Sequence, residues 1–272
     1  MLRSVVIATV AWLALSQAER VLDLSHPYDM RTPSWVTDRR FEMRQRESFN
    51  GTYYLTEELH MATHTGTHMD APCHFARGRW CITDIPLERL LNVPAVVIDV
   101  NRGENGEMTP EDLEKWEAEH GSIPKHAVII LRSGWASRYP NRREYFGSDV
   151  PNSTEGLRFP GFGPEAAKWI VERTEIAGLG IDTPSIDPGK AKTAPAHVTL
   201  ARSNLYNLEN LADLSELPAN GARLTVLPMK LAGASGAPAR VLAYLDSGCL
   251  AVKPPFLLLV IALFVLWIVS RA

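Results

Sequence analysis

Cysteine is scarce in this chain, which has three in 272 residues. That number is too small for the disulfide framework of a cysteine-rich secreted domain, although Cys73 and Cys81 could still pair in an oxidising compartment. An excess of charge of one sign is also missing, since the formal net charge is −3 and the basic residues form no cluster. We therefore expect no nucleic-acid partner.

Two common catalytic motifs are absent from the sequence as well. No Gly-x-Ser-x-Gly elbow occurs, which argues against a serine hydrolase, and no glycine-rich phosphate-binding loop is found. Internal repeats are also lacking. What remains is a stretch of globular composition, with 46% hydrophobic residues, that suits one domain with a sizeable core.

Hydrophobic runs long enough to cross a bilayer are missing, but shorter runs lie near both ends. Residues 1–18 combine a basic start, an apolar run and small residues, which predicts a signal peptide. Residues 247–272 combine small residues with an apolar tail, which predicts either a GPI-anchor signal or a membrane anchor. The ends thus predict a protein of the secretory pathway that is tethered at the extracellular face of a membrane through its tail. Residues 19–246 would form the domain between them.

The middle of the chain alternates strand-like and helix-like segments. Short apolar runs at 95–100, 127–131 and 176–182 predict buried strands, and 223–227 and 240–245 predict two later ones. Helices are predicted to begin at Pro110 and Pro164, each after a residue that can cap it. The alternation predicts an α/β domain with a largely buried sheet. Residues 137–160 resemble a long loop, either a functional lid or a disordered insertion.

One dense run, residues 64–74, holds three histidines and one aspartate. His64, His68, Asp70 and His74 all stand at even positions, and alternate residues of an extended segment share a face. Imidazole and carboxylate groups are ligands that suit zinc and manganese. The run therefore predicts a metal site, and the alternative is a polar turn that happens to be rich in histidine.

The spacing of these residues also constrains the backbone. A straight strand would separate the Cα atoms of His64 and His68 by about 13 Å, which is near the limit for two imidazoles that share an ion. A helix would bring them to about 6 Å, but the surrounding threonine, glycine and proline residues are poor helix formers. We therefore predict a strand that bends at Gly66, where no Cβ opposes a kink.

Four polar residues further along the chain are harder to interpret alone. Asp182 and Asp187 follow a predicted strand, and ligands of α/β folds bind beyond the carboxyl ends of strands. Asp182 could approach such a site or serve a turn, whereas Asp187 is interpreted as a turn residue. His197 and Glu209, considered without other information, are interpreted as surface residues.

The run at 64–74 resembles the H-x-G-T-H-x-D-x-P-x-H signature of the cyclase-family metal hydrolases. Further blocks similar to that family follow in the same order, at 23–25, 159–161, 180–188, 195–197, 208–211 and 227–230. The resemblance covers roughly residues 20–245. It implies the swivelling β/β/α fold of the family, in a single domain, and assembly into a homo-oligomer.

The resemblance also implies roles for individual residues. The implied ligands of one or two divalent ions per chain, zinc or manganese, are His64, His68, Asp70, His197 and Glu209. His74 corresponds to the catalytic acid and base, and Trp35 to a substrate contact. The small-molecule substrate would be an arylformamide such as N-formyl-kynurenine, cleaved at its C–N bond to kynurenine and formate. The alternatives are hydrolysis of a cyclic amide or a lactone, or a non-catalytic surface binding protein.

Overall fold

The structure, a computed structural model, describes residues 20–245. Its strands are β1 (Arg20–Asp23), β2 (Glu42–Glu47), β3 (Thr56–His60), β4 (His68–Asp70), β5 (Val93–Asp99), β6 (Glu107–Met108), β7 (Val128–Arg132), β8 (Gly161–Phe162), β9 (Gly178–Ile181), β10 (Tyr206–Glu209), β11 (Ala222–Pro228) and β12 (Gly236–Leu245). Its helices are α1 (Pro110–His120), α2 (Arg142–Phe146), α3 (Pro164–Arg173) and α4 (Pro195–Ala201). The expected signal peptide (1–18) and tail (247–272) lie outside the described residues.

Eight strands form one mixed sheet in the order β1-β12-β11-β5-β7-β9-β10-β4. Strands β5, β7, β9 and β10 run parallel, and the remaining pairings in this sheet are antiparallel. The beginning of β12 also pairs with β4, so the sheet curls into a barrel-like structure. The predicted single α/β domain is therefore confirmed.

The central strands are buried on both faces, which explains their continuous apolar sequences. On β5 and β7, Val97 and Ile130 belong to the core enclosed by the curled sheet. Their neighbours Val96 and Ile129 belong to a second core beneath the helices. Side chains of a strand alternate between its two faces, so each strand contributes to both cores.

Helix α1 begins where the sequence predicts. Pro110 takes its first position, and Asp112 accepts a hydrogen bond from the Thr109 backbone N–H at 2.8 Å. Gly121 ends the helix with a φ of +88°, a conformation that glycine adopts without steric cost. Leu113 and Trp116 form the buried side of the helix against the second core.

The segment 137–160 is folded, so its interpretation as a disordered insertion is wrong. Helix α2 lies within it, and Tyr145, Phe146 and Phe159 form a third hydrophobic cluster with Trp135. The indole N–H of Trp135 donates to the Tyr145 carbonyl at 2.8 Å. Because apolar side chains of the segment are fully buried, hydrophobic packing holds it against the domain.

Strands β2 and β3 pair with each other in a separate two-stranded sheet. Met43 lies opposite Leu59 in this hairpin, and their exposed fractions are 47% and 52%. Phe49 and Tyr53, near the turn, are 72% and 91% exposed. The hairpin therefore presents an apolar surface to solvent in the single chain.

Candidate metal centre

The predicted bend at Gly66 is confirmed. Gly66 has a φ of +57°, and a Cβ added there would lie 2.9 Å from side-chain atoms of Tyr28 and Thr32. Glycine alone fits both the conformation and the space. Strand β4 begins only at His68, so the extended part is shorter than the even spacing of the ligands suggested.

The four candidate side chains of the run converge from different local structures. His74 ends a short 3-10 helix, Pro72–His74, which a disulfide between Cys73 and Cys81 joins to the following turn. The ring of His64 stacks on that of His74 with centroids 4.0 Å apart. The His64 and His68 rings meet edge to face, with centroids at 5.3 Å. The bend and the helical turn thus replace the single strand face that we expected.

Two later elements complete the cluster. Strand β10 pairs with β4 so that Glu209 stands opposite His68. Helix α4 carries His197, whose Nε2 lies 3.2 Å from Asp70 Oδ2 and 3.1 Å from Glu209 Oε1. Taken alone, His197 and Glu209 were interpreted as surface residues, but they are 4% and 5% exposed. The fold thus brings all five expected ligand residues together, with His74 beside them.

The donor atoms fit a divalent cation. His68 donates from Nδ1 to the Gly66 carbonyl at 2.8 Å, which leaves its Nε2 buried and without a hydrogen-bond partner. That Nε2 faces Asp70 Oδ1 at 3.1 Å and Glu209 Oε2 at 3.4 Å. Buried nitrogen and carboxylate oxygen atoms at these separations could coordinate a shared ion.

The electrostatics of the cluster favour a cation. Asp70 and Glu209 are buried, and within residues 20–245 neither forms an ion pair with lysine or arginine. Burial opposes ionisation of Asp70, yet the imidazoles of His197, His64 and His68 that surround its carboxylate hold its pKa well below the usual value. Burial opposes the charge on His68 too, but the two carboxylates raise its pKa to about 9. Buried negative charge therefore demands protons or a metal ion.

His74 differs from the other imidazoles because part of it is open to solvent. It packs against His64 and against Phe75, whose ring centroid lies 4.4 Å away. This desolvation, together with the neighbouring imidazoles of His64 and His197, lowers the pKa of His74 to about 4, although Asp70 opposes the shift. His74 is thus neutral near pH 7 and can accept a proton.

Of the two aspartates after β9, Asp187 reaches the cluster and Asp182, whose role the sequence left open, does not. Asp182 lies away from the cluster, where its carboxylate accepts hydrogen bonds from Ser133 and Trp135. Asp187, interpreted as a turn residue, accepts a hydrogen bond from His197 Nδ1 at 2.6 Å. Its nearness to His197 depends on where the chain places α4, which residue spacing does not encode.

Ser235, just before β12, and Gly236, its first residue, also contact the cluster, although the sequence pattern did not indicate them. Ser235 Oγ lies 3.1 Å from His64 Nε2. A Cβ added at Gly236 would lie 2.3 Å from His64 Cε1, so the His64 ring occupies that space. The conspicuous feature in the sequence is a run of small residues, 232–237, which allows the close approach.

A cavity of about 370 Å³ opens beside the cluster. Its apolar lining includes the aromatic rings of Trp35, Phe75, Phe146 and Phe159. Trp35, the expected substrate contact, is half-buried and meets Phe146 edge to face at 6.1 Å. The cavity therefore joins an aromatic surface to the polar cluster, an arrangement typical of small-molecule sites.

A barrel-like α/β domain with a buried imidazole–carboxylate cluster that opens into a cavity has the features of a metal-dependent hydrolase. The model of the Cyclase family matches residues 22–188, and the chain belongs to this family. It is 31% identical to isatin hydrolase of Roseibium aggregatum over 206 residues, 71% of this chain and 76% of that protein. It is 28% identical to kynurenine formamidase of Bordetella petrii over 82% of this chain and 97% of that enzyme.

Solved structures agree with this membership. Isatin hydrolase A from Labrenzia aggregata, bound to benzyl benzoate, superposes with a TM-score of 0.77 at 33% identity. The superposition covers 88% of this chain and 98% of that one. The fold expected from the family resemblance is therefore confirmed.

The expected location at the extracellular face of a membrane is wrong. Bacterial kynurenine formamidases match this chain over 94% to 97% of their own length, so the match accounts for nearly all of each of these relatives and leaves little room for an anchor. Among residues 20–245, no helix is long and apolar enough to cross a bilayer. Neither the secretory location nor the membrane tether is supported.

Proposed function

We propose that this protein is a metal-dependent hydrolase that cleaves C–N amide bonds of small aromatic molecules. The observation that carries the proposal is the buried, unpartnered Nε2 of His68, which faces Asp70 and Glu209. Leaving such an atom without a partner costs about 1–3 kcal/mol, and coordination of an ion removes that cost. The relatives named hydrolase and formamidase support the same activity.

The proposed ligands are those named from the family resemblance: His64, His68, Asp70, His197 and Glu209. His68, Asp70 and Glu209 bring their ligand atoms together as one group, and His64, Asp70 and His74 form a second. Asp70 belongs to both groups, so its carboxylate would serve each of them. We therefore propose one or two zinc or manganese ions per chain.

When bound, the ion would supply Lewis acidity, which lowers the pKa of water and provides a nucleophile near neutral pH. The chain's own residues would supply the proton transfers. His74, neutral and at the open side of the cluster, would take a proton during attack and return it to the departing amine. The aromatic cavity would hold the substrate ring, and Trp35 would form one wall of it.

An arylformamide such as N-formyl-kynurenine is the proposed substrate, since the cavity is lined by aromatic rings and the formamidase relatives span most of the chain. Hydrolysis of a cyclic amide is the second candidate, supported by the isatin hydrolases among the relatives and structures. A binding protein without activity is disfavoured because the whole cluster of candidate ligands and His74 is present and assembled.

One experiment tests the activity and separates these candidates. The purified full chain is assayed against N-formyl-kynurenine, isatin and an aromatic lactone, and its metal content is measured on the same sample. We expect at least one equivalent of zinc or manganese and turnover of the formamide. Turnover of isatin alone would favour the second candidate. Less than stoichiometric metal together with no turnover of any substrate would contradict the proposed function.

Replacement of His74 tests the acid–base role. We expect His74→Ala to retain metal and to lower kcat by about 10²- to 10⁴-fold, the usual range for a lost proton-transfer group. Elemental analysis and steady-state kinetics measure the two effects. As a comparison, Asp70→Ala should lose both metal and activity; loss of metal from His74→Ala would make His74 a ligand instead.

We further propose that residues 19–246 form the hydrolase domain.

We also propose that the protein is a homo-oligomer. The exposed apolar surface of the β2–β3 hairpin supports self-association, since isolated hairpins are marginally stable in water. Sedimentation should show more than one chain per particle. Met43→Glu should shift the distribution toward single chains if the hairpin forms the contact.

A further inference from the structure

Asp187 contacts both the backbone and the ring of His197. Its Oδ1 accepts a hydrogen bond from the Ala196 N–H at 2.9 Å, and its Oδ2 accepts one from the His197 N–H at 3.1 Å. Oδ2 also accepts a hydrogen bond from His197 Nδ1 at 2.6 Å. One carboxylate thus fixes the first turn of α4 and the imidazole that this turn carries.

These contacts determine which nitrogen of His197 faces the cluster. A hydrogen bond from Nδ1 to a carboxylate favours the tautomer that keeps its proton on Nδ1. Nε2 then has a free lone pair, and it lies about 3 Å from oxygen atoms of Asp70 and Glu209. Asp187 is 5% exposed, so its carboxylate makes these contacts while largely shielded from solvent.

We propose that Asp187 is a positioning residue for the metal centre, holding His197 in the ring orientation and tautomer that ligation through Nε2 requires. This inference rests on the proposed function, because it assumes that His197 is a ligand. The carboxylate would not touch the ion. It would act through His197, as carboxylates that accept a hydrogen bond from a ligating histidine do in many metal sites.

His68 provides an internal contrast. Its Nδ1 donates to the neutral carbonyl of Gly66, two residues away on the same turn. The partner of His197 is instead a charged carboxylate ten residues away along the chain. Charge-assisted hydrogen bonds are roughly twice as strong as neutral ones, so loss of Asp187 should disturb its histidine strongly.

Asp187→Asn tests the inference with little change of shape. Three N–H donors face the carboxylate, whereas an amide offers one oxygen and presents an NH₂ donor in place of the other. An amide nitrogen turned toward Nδ1 would force the His197 proton onto Nε2, which then cannot ligate. An amide oxygen turned toward Nδ1 would leave the ring with only a neutral, weaker hydrogen bond and would set the NH₂ group against the Ala196 N–H. We expect the dissociation constant for zinc to rise about 10- to 100-fold, measured by competition with a chromophoric chelator.

Asp182→Asn is the matched control. Asp182 is a buried aspartate of the same segment, 1% exposed, that also accepts backbone and side-chain hydrogen bonds. Its partners are Ser133 and Trp135, not a candidate ligand. Asp182→Asn should lower the stability of the fold without changing the zinc dissociation constant. If zinc binding weakened equally in both variants, a specific role of Asp187 in the metal centre would be contradicted.

Two further measurements keep the inference testable if Asp187→Asn does not fold. Asp187→Ser keeps a hydroxyl that can cap a helix, but it is too short to hold the imidazole, and it should show the same weaker zinc binding. In the zinc-loaded wild-type chain, ¹H–¹⁵N spectra of labelled histidine should show His197 protonated at Nδ1. A proton on Nε2 would overturn the inference.

The outcomes separate the two proposals. If the wild-type chain binds no zinc, the proposed function fails and the role of Asp187 fails with it. If the wild-type chain binds zinc and either Asp187 variant binds it with an unchanged constant, only the role of Asp187 fails. Weaker zinc binding in the Asp187 variants alone, with the expected tautomer in the wild type, supports both.

Discussion

At the residue scale, the least expected determinant of the site is a side chain that is missing. Gly236 begins β12, and the imidazole of His64 lies where a Cβ at this position would be. The three nearest ring atoms would be 2.3, 2.7 and 2.8 Å from that Cβ. Real contacts of this kind are longer, so any other residue would displace His64.

Gly236→Ala should therefore weaken metal binding and activity although it removes no ligand. Displacement of the His64 ring should lower the zinc occupancy of the site by at least about tenfold at limiting zinc, because the geometry of the ligands sets the affinity for the ion. Metal titration and kinetics measure the effect. Gly51→Ala, where no atom lies within 4 Å of an added Cβ, is the control. Unchanged zinc affinity in Gly236→Ala would show that the ring can move without cost.

Sequence spacing could find the ligands that lie close together but not the residues that support them. His64, His68 and Asp70 stand in one run with a recognisable donor set, whereas Ser235 meets His64 across 171 residues. Asp187 looked like an ordinary turn residue because Asp-Pro-Gly is common turn chemistry. His197 and Glu209 emerged only through the family resemblance, since neither has a local pattern that distinguishes it.

At the element scale, the segment 137–160 forms part of the cavity wall through its own hydrophobic cluster. Phe146 and Phe159 are fully buried in this cluster and also line the cavity. The polar and glycine-rich sequence around them predicts a loop, and long-range packing on Trp135 and Val36 gives it a fixed structure. Packing of this kind is not visible in local sequence.

Phe159→Ala should lower the free energy of unfolding by about 3–5 kcal/mol, since it empties a fully buried site. It should also raise KM more than it lowers kcat, because it alters the cavity wall and leaves the cluster of ligands intact. Urea unfolding and steady-state kinetics measure both effects. Val150→Ala, at a 53% exposed position in the same segment, should change neither by much.

The strands that the sequence predicts best are those buried on both faces. The runs at 95–100 and 127–131 correspond to β5 and β7 within two residues, since a continuous apolar run leaves few alternatives. The β2–β3 hairpin and the three-residue strand β4 have no such run. Their pairing is decided by tertiary contacts.

At the scale of the whole molecule, His26 connects the segment after β1 with the bend that carries Thr67 and with the segment 137–160. Its backbone N–H donates to Thr67 Oγ1 at 2.9 Å, and its ring stacks on Tyr139 with centroids 3.6 Å apart. Desolvation lowers the pKa of His26 to about 4, against a smaller effect of the Leu211 backbone. Protonation of His26 therefore opposes the folded state.

The pH dependence of stability should reflect this residue. With a folded pKa near 4 and an unfolded value of 6.5, the folded state binds fewer protons between these limits, so stability falls as pH falls from 6.5 toward 4. His26→Phe keeps a ring for stacking and should lose less stability than wild type between pH 7.5 and 5. Urea midpoints at both pH values test this, with the half-buried His60→Gln as control. Equal losses in wild type and His26→Phe would contradict it.

The barrel-like closure has a consequence for synthesis of the protein. His64 is contacted by the strand that begins at Gly236, and that strand pairs with β4, β11 and β1. A growing chain that has emerged from the ribosome only to residue 230 would contain every proposed ligand without the strand that holds the first one in place. Metal capture in its final geometry should therefore wait until β12 has emerged and paired with β4, and a truncated product that ends before β12 should have no hydrolytic activity.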